Sequence, residues 1–165
     1  LSGEVVIRRL VPEDAAAYRD IRLKALLMHP QAYSSSFEDE AREPLDFFAR
    51  RLANALGCFV ESTLVGTASL IAAPGLARRH KGLVVGVFLD PSHRGHGLAR
   101  QLMEAVIQEA RAAGLSAVRL GVTVGNEAAE RLYRVLGFRE YGVEVEAIRV
   151  GDIGFDEELM ELALE

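Results

Sequence analysis

The chain predicts a mixed α/β fold, one central β-sheet with helices on both faces. Three observations carry that reading. Short apolar runs of strand length alternate along the chain with amphipathic helical stretches. The apolar run 83–89 passes through a glycine-containing turn straight into the helical stretch 98–113, and an alternating run follows at 117–122, giving a βαβ unit with a parallel strand pair. Two helical patterns precede the first hairpin and supply the second face of the sheet.

Each element has local support, in order. Residues 5–10 read as a strand. Pro12-Glu13-Asp14 opens a helix in which Tyr18, Ile21, Ala25 and Met28 share a face. Residues 30–42 are irregular, although Ser35 and Glu38 have capping-box spacing. Pro44-Leu45-Asp46 starts a second helix that runs to about Ala55. Residues 57–61 and 64–73 form a hairpin turning near Ser62-Thr63, and the loop 74–81 leads to the strand 83–89. The next helix breaks at Ala113-Gly114, before the strand 117–122. Asn126 caps a helix whose Ala129, Leu132, Tyr133 and Leu136 fall at i, i+3, i+4 and i+7, and Gly137 suits the position after its end. Residues 138–150 and 159–164 read as two last strands around a turn at 151–154.

At 165 residues the chain is expected to form one domain, residues 1–165, burying about 70% of its unfolded surface. Half of the residues are hydrophobic and about a quarter charged, an ordinary composition for a water-soluble domain. No apolar run approaches the ~20 residues of a membrane span and no signal-peptide pattern opens the chain, so no membrane association is expected. Because the sequence opens on Leu1 and not on methionine, the natural N-terminus is expected upstream. Cys58 is alone, which excludes an internal disulfide and fits a reducing cytoplasm. A net charge of −5 argues against nucleic acid as a partner.

The chemistry concentrates at Asp90-Pro91-Ser92-His93-Arg94-Gly95-His96-Gly97-Leu98-Ala99. A strand ending, a glycine turn and a helix start place several backbone N–H groups around one point, where the helix dipole adds roughly half a positive charge. Arg94 adds a full charge beside them. This is a phosphate cradle. It is not a Walker loop, because no Lys followed by Ser or Thr is present. It fits the dinucleotide fingerprint poorly, because Arg100 stands where the third glycine of that pattern would fall.

Read as Arg94-x-x-Gly97-x-Ala99, the turn resembles the Gln/Arg-x-x-Gly-x-Gly/Ala motif of the GNAT N-acetyltransferases. The segment 126–138 resembles that family's second signature, with Asn126, Ala129, Tyr133, Gly137 and Phe138 all at its fixed positions. The resemblance spans essentially the whole chain. It implies the GNAT fold, in which two parallel strands splay apart and hold acetyl-CoA, the co-substrate, with no metal. The backbone around Val87, Phe88 and Leu89 would pair with pantetheine as with an added strand. The Leu89 N–H would face the thioester carbonyl, where negative charge develops. Arg94, Gly95, His96, Gly97, Leu98 and Ala99 would hold the pyrophosphate, with Asn126 touching the cofactor as well as capping its helix. Tyr133 takes the general-acid position, donating to the departing thiolate. The plain alternatives are a buried strand at 84–89, a core aromatic at Tyr133 and a simple cap at Asn126.

The acceptor is expected to be a small-molecule primary amine, bound near Tyr33, Phe37, Glu38 and His80. Tyr33 and Phe37 lie in the stretch where the family shapes its acceptor pocket. His80 precedes the long strand, although a charged hairpin loop accounts for it equally. Arg100, Arg131 and Arg134 are candidates for the CoA 3′-phosphate, although solvated helix arginines account for them more simply. His93 and His96 lack further ligands at usable spacing for a metal. One departure from the family matters: members that acetylate protein N-termini often carry a glutamate on the strand before the Asn motif, where this chain has Gly121. Leu83, Val85 and Val87 supply no carboxylate on the preceding strand either. The alternatives are therefore an acyl-CoA-binding sensor without catalysis, a peptide N-terminal acetyltransferase, and a nucleotide-binding α/β module. By resemblance, a homodimer through the late strands is also expected.

Overall fold

The strands β1 (Val5–Arg9), β2 (Ala55–Val60), β3 (Thr63–Ala72), β4 (Lys81–Leu89), β5 (Ala117–Thr123), β6 (Arg139–Val150) and β7 (Ile153–Ala163) form one sheet in the order β1-β2-β3-β4-β5-β7-β6. Every pairing is antiparallel except β4 with β5. This is a computed structural model, and it describes residues 2–165. The helices are α1 (Ala15–Met28), α2 (Phe37–Glu40), α3 (Leu45–Ala49), α4 (Leu98–Ala112) and α5 (Glu127–Val135).

The helices divide between the two faces, and β2 between them is buried along its whole length. Leu56, Cys58 and Val60 turn to one face, where Leu98, Leu102, Met103, Val106 and Ala110 of α4 complete the main core with Val118, Leu120, Phe138 and Met160. Ala55 and Phe59 turn to the other, against Tyr18, Phe48 and Leu52 from α1, α3 and the turn after it. Each fully buried aliphatic side chain of α4 contributes about 1.5–3 kcal/mol by leaving water. That spine fixes the helix, and with it the turn that precedes it.

Several boundaries differ from the sequence reading, each for a local reason. Met28 is not on the packed face of α1; it is exposed, and Leu26 is buried in its place. The stretch 30–42 is irregular except for a 3-10 turn at Pro30–Ala32 and the short α2, whose cap is Ser36, not Ser35: its hydroxyl accepts from Asp39 N at 3.1 Å. The second helix stops at Ala49, and Ala55 already belongs to β2. The last strand begins at Ile153, six residues before the expected 159, so the turn is tight at Gly151-Asp152.

The parallel pair is the feature that positions the site. It is registered only at Lys81–Ala117, Gly82–Val118 and Leu83–Arg119, after which β4 and β5 separate although both continue. The cause lies in β4. Between the pairs Ser69–Val85 and Thr67–Phe88, β4 carries one more residue than β3, a bulge at Gly86-Val87. Gly86 sits at φ +63, a conformation that costs a β-carbon strain but is open to glycine. A bulge bends its strand and leaves part of an edge unpaired.

Candidate active site

The gap opens at the C-terminal end of β4. Asp90 N donates to Val65 O on β3, so by strand alternation Val87 and Leu89 turn their backbone groups to the opposite, unpaired edge. Two side chains take the carbonyls there. Tyr33 Oη donates to Val87 O at 3.0 Å and Arg94 Nε donates to Leu89 O at 3.3 Å. The acceptors on this edge are thus occupied, which leaves an edge of N–H donors.

The phosphate cradle follows directly. Asp90 is held by the Lys24 ammonium and by Ser92, whose backbone N and hydroxyl both donate to Oδ1, at 2.9 and 2.6 Å. The ammonium and these hydrogen bonds keep the Asp90 carboxyl well below the usual carboxylate range. This closes a 3-10 turn at Pro91–His93 that aims the chain at α4. Gly97 caps α4 at φ +74, and nothing lies within 4 Å of a Cβ placed on it or on Gly95. The N–H groups of residues 95–100 take no acceptor among the described residues, because the last three open the helix. The result is an open cluster of unpaired N–H donors at a helix start, an arrangement that favours phosphate oxygens. Leu98 anchors it from beneath, fully buried. Arg94 stands at its edge, its Nη2 3.3 Å from His29 Nε2, which accepts when the ring is neutral. Burial and then the nearby Arg94 charge lower the His29 pKa, which favours that neutral form.

From the far side α5 brings Tyr133. Asn126 caps this helix, its Oδ1 accepting from Ala129 N at 3.3 Å. The Tyr133 ring is buried, edge-on to Phe138 with centroids 5.8 Å apart. Its hydroxyl makes no hydrogen bond among the described residues. Burial first, and then the proximity of Tyr33, push the Tyr133 pKa well above that of a free phenol. Burial likewise pushes Tyr33 up to about 12, against the pull of Arg22 and Arg94. Both hydroxyls therefore keep their protons at neutral pH.

Val87, Phe88, Leu89, residues 94–99, Tyr33 and Tyr133 thus gather at one end of the sheet, with Asn126 at the start of the helix that carries Tyr133. Phe37 is half-buried at the start of α2, and Glu38 is exposed on the outer turn of that helix. His80 does not join them. It is exposed before β4, where its carbonyl accepts from Ser116 N and Oγ, roughly 20 Å along the strand from Val87. Arg100 pairs with Glu104, and Arg134 with Glu130 and Glu158. No group of three or more His, Cys, Asp or Glu that could hold a metal is present among the described residues.

Three contributors escaped the sequence reading. Gly86 carried a signal, since a glycine inside a strand pattern marks a bulge. His29 gave none beyond its neighbourhood. Glu157 falls between the turn at 151–154 and the strand expected from 159, and so takes no element in the sequence reading. In the structure Glu158 is buried against Arg134, and Glu157 points to the other face, over Gly121.

Comparison with known proteins bears on this geometry. A model of the acetyltransferase (GNAT) family matches residues 20–138. A mycothiol acetyltransferase of Thermobispora bispora is 33% identical over 139 residues, which cover 80% of this chain and 45% of that protein. An L-methionine sulfoximine/L-methionine sulfone acetyltransferase of Salmonella typhimurium is 40% identical over 52 residues, 32% of this chain and 30% of that protein. The matched segments therefore cover less than half the length of these curated relatives. Among solved structures, an acetyltransferase from Salmonella typhimurium with its cofactor acetyl-CoA superposes with a TM-score of 0.82 at 25% identity, covering 98% of this chain and 95% of that one.

Proposed function

This chain belongs to the GNAT family of acetyltransferases, and from that membership we propose that it transfers the acetyl group of acetyl-CoA to a small-molecule primary amine by direct attack. The reaction would be housed in a single domain spanning residues 1–165. One observation carries the reading: an unpaired strand edge left with N–H donors runs straight into a cradle of unpaired N–H groups at a helix start. An extended chain ending in a pyrophosphate matches both. The open space at Gly95 and Gly97 admits phosphate oxygens.

Each residue then has work suited to its place. The N–H groups of Val87 and Leu89 pair with the amide oxygens and thioester carbonyl of the extended ligand, and one of them stabilises the negative charge that forms on attack. Residues 95–100 donate to the pyrophosphate, with Arg94 beside them. Tyr133 supplies a proton to the leaving sulfur, and its raised pKa keeps that proton in place across the working range. Tyr33, fixed on Val87 O, forms the wall between the thioester and the acceptor. Relatives named for mycothiol and for L-methionine sulfoximine support a small acceptor.

The test is to incubate the protein with acetyl-CoA and a panel of primary amines (L-methionine sulfone, L-leucinamide, putrescine, benzylamine) and to follow free thiol. Amine-dependent thiol release, with an acetylated amine identified by mass spectrometry, is the expected result. Tight acetyl-CoA binding with no acceptor turned over would favour a sensor. Acetylation of peptide N-termini alone, with small amines inert, would overturn the acceptor class.

A further inference from the structure

A carboxylate stands where the side chain of residue 121 would begin. Gly121 lies on β5 beyond the last parallel pair, so it borders the gap, and it is exposed. Across the antiparallel pair with β7, Gly121 faces Leu159 and Thr123 faces Glu157. A Cβ built on Gly121 would meet the carboxyl carbon of Glu157 at 3.1 Å, with one carboxylate oxygen closer still. Thr123, next on the same face, donates through Oγ1 to Gln31 O at 3.2 Å. That carbonyl belongs to the 3-10 turn just before Tyr33, the residue bonded to Val87 across the gap. Glu157, Gly121 and the Tyr33 wall therefore share one side of the opening.

Glu157 also differs from its neighbours in having nothing to hold. Glu158 is bonded to Arg134, and Glu161 to Lys81 and Arg119. Glu157 is half-buried and makes no hydrogen bond or ion pair among the described residues. A carboxylate kept partly from water without a partner costs stability, and such groups concentrate at functional sites. We propose that Glu157 is the proton acceptor for the attacking amine, reaching from β7 the place that a carboxylate on β5 would otherwise serve. This rests on the acetyl-transfer reading above.

The electrostatics agree. Burial, and then Glu144 beside it on β6, push the Glu157 carboxyl above the ordinary carboxylate range, towards the pKa of an effective base at neutral pH. The cations of the surrounding elements are engaged elsewhere: Arg119 on β5 with Glu161 and the Tyr141 ring, Arg22 on α1 with Glu40, Arg149 on β6 with Glu146. Asp156, beside Glu157, accepts from Glu146 N. Together Glu144 and Glu157 also attract a cationic amine. The step balances. Glu157 takes one proton from the ammonium, the freed nitrogen forms the C–N bond, and the C–S bond breaks. The nitrogen gives up a second proton, which the departing sulfur receives by way of Tyr133, and the proton on Glu157 leaves to solvent. One ammonium and one thioester yield one amide, one thiol and one proton.

The test compares wild-type protein with Glu157→Gln, using thiol release with the amine panel from pH 4 to 10, acetyl-CoA affinity by calorimetry, and melting temperature. The wild type should show a break where Glu157 titrates. In Glu157→Gln the kcat should fall about 10–10²-fold at pH 7, with KM for the amine little changed. The break should vanish, leaving a rate that climbs tenfold per pH unit as free amine appears. Acetyl-CoA affinity should be unchanged and the melting temperature equal or higher, because an unpartnered charge is removed. Glu157→Asp should retain the break at reduced rate. A wild-type kcat and break in Glu157→Gln, a loss confined to KM with the break intact, or a marked drop in melting temperature would each overturn the assignment while leaving acetyl transfer standing. Absence of thiol release by the wild type with every amine would instead overturn the acetyl-transfer reading itself, and the assignment with it.

Discussion

Tyr133 joins two requirements that usually compete, a ring packed into the core and a hydroxyl free to act. The ring belongs to the apolar stripe of α5 and rests on Phe138, while the hydroxyl lacks a protein partner among the described residues. Leaving a phenolic hydroxyl unpaired near the core forgoes roughly 1 kcal/mol of hydrogen bonding, which a purely structural residue would recover by becoming Phe. Tyr133→Phe should accordingly keep the fold and the acetyl-CoA affinity, with stability changed by about 1 kcal/mol or less, while kcat falls by about 10²-fold. Steady-state kinetics beside a thermal melt check this. Normal turnover would leave Tyr133 a packing residue and require another proton source. Because burial raises its pKa, no break in the rate profile below pH 10 should vanish in this variant.

At the scale of elements, α5 depends on its first residue. With nine residues it is too short to hold by propensity alone, so its cap and its buried face decide whether it presents Tyr133 correctly. Asn126→Ala removes the acceptor for Ala129 N and should cost about 1 kcal/mol, lowering the melting temperature by roughly 2–4 °C. Asn126→Asp should retain most of that stability, and denaturation of the two variants side by side measures the difference. The motif helices were legible in the sequence because capping, apolar spacing and glycine placement all agreed over 126–138 and 94–99. The parallel pair was legible from the βαβ pattern, but its splaying only through family resemblance. The gap's cause was not read, because the bulge at Gly86-Val87 depends on register against β3, a non-local pairing. The same limit hid Glu157. A run of three acids shows no apolar alternation, so the last strand is expected only from 159; residues 156–158 join it because Arg134 and the β5 edge give its two faces different partners. His80 failed in the opposite way: nearness in sequence to a functional strand placed it at the wrong end of that strand.

Across the whole molecule, the seven-stranded sheet opens where its one parallel pair separates beyond Leu83 and Arg119, and the two ends of that opening meet different parts of the molecule. One end meets the α4 cradle. The other meets the half of the molecule built from α1, the turn after it and α2, where the buried Glu40 carboxylate is clamped by Arg22 and Arg51, each at 2.9 Å. That clamp fastens α2 to α1, and Arg22 reaches from it over Gly86, its Nη1 3.8 Å from where a Cβ would stand. An amine entering from this side and an acyl carrier lying along β4 would therefore meet at the bulge. An amine of pKa about 10 is only about one part in a thousand neutral at pH 7, so the acidic wall at Glu144 and Glu157 bears on rate as well as on attraction. The measurement that reaches the central claim most directly is an amide NMR titration of the protein with acetyl-CoA, with Gly97→Glu as control. The account predicts that the signals of Val87, Leu89 and residues 95–100 shift together and saturably, and that Gly97→Glu, which fills the cradle and adds like charge, abolishes the shifts while keeping a folded spectrum. Shifts confined to other surfaces, an equal response from Gly97→Glu, or preferential saturation by ATP or NAD at the same amides would contradict it.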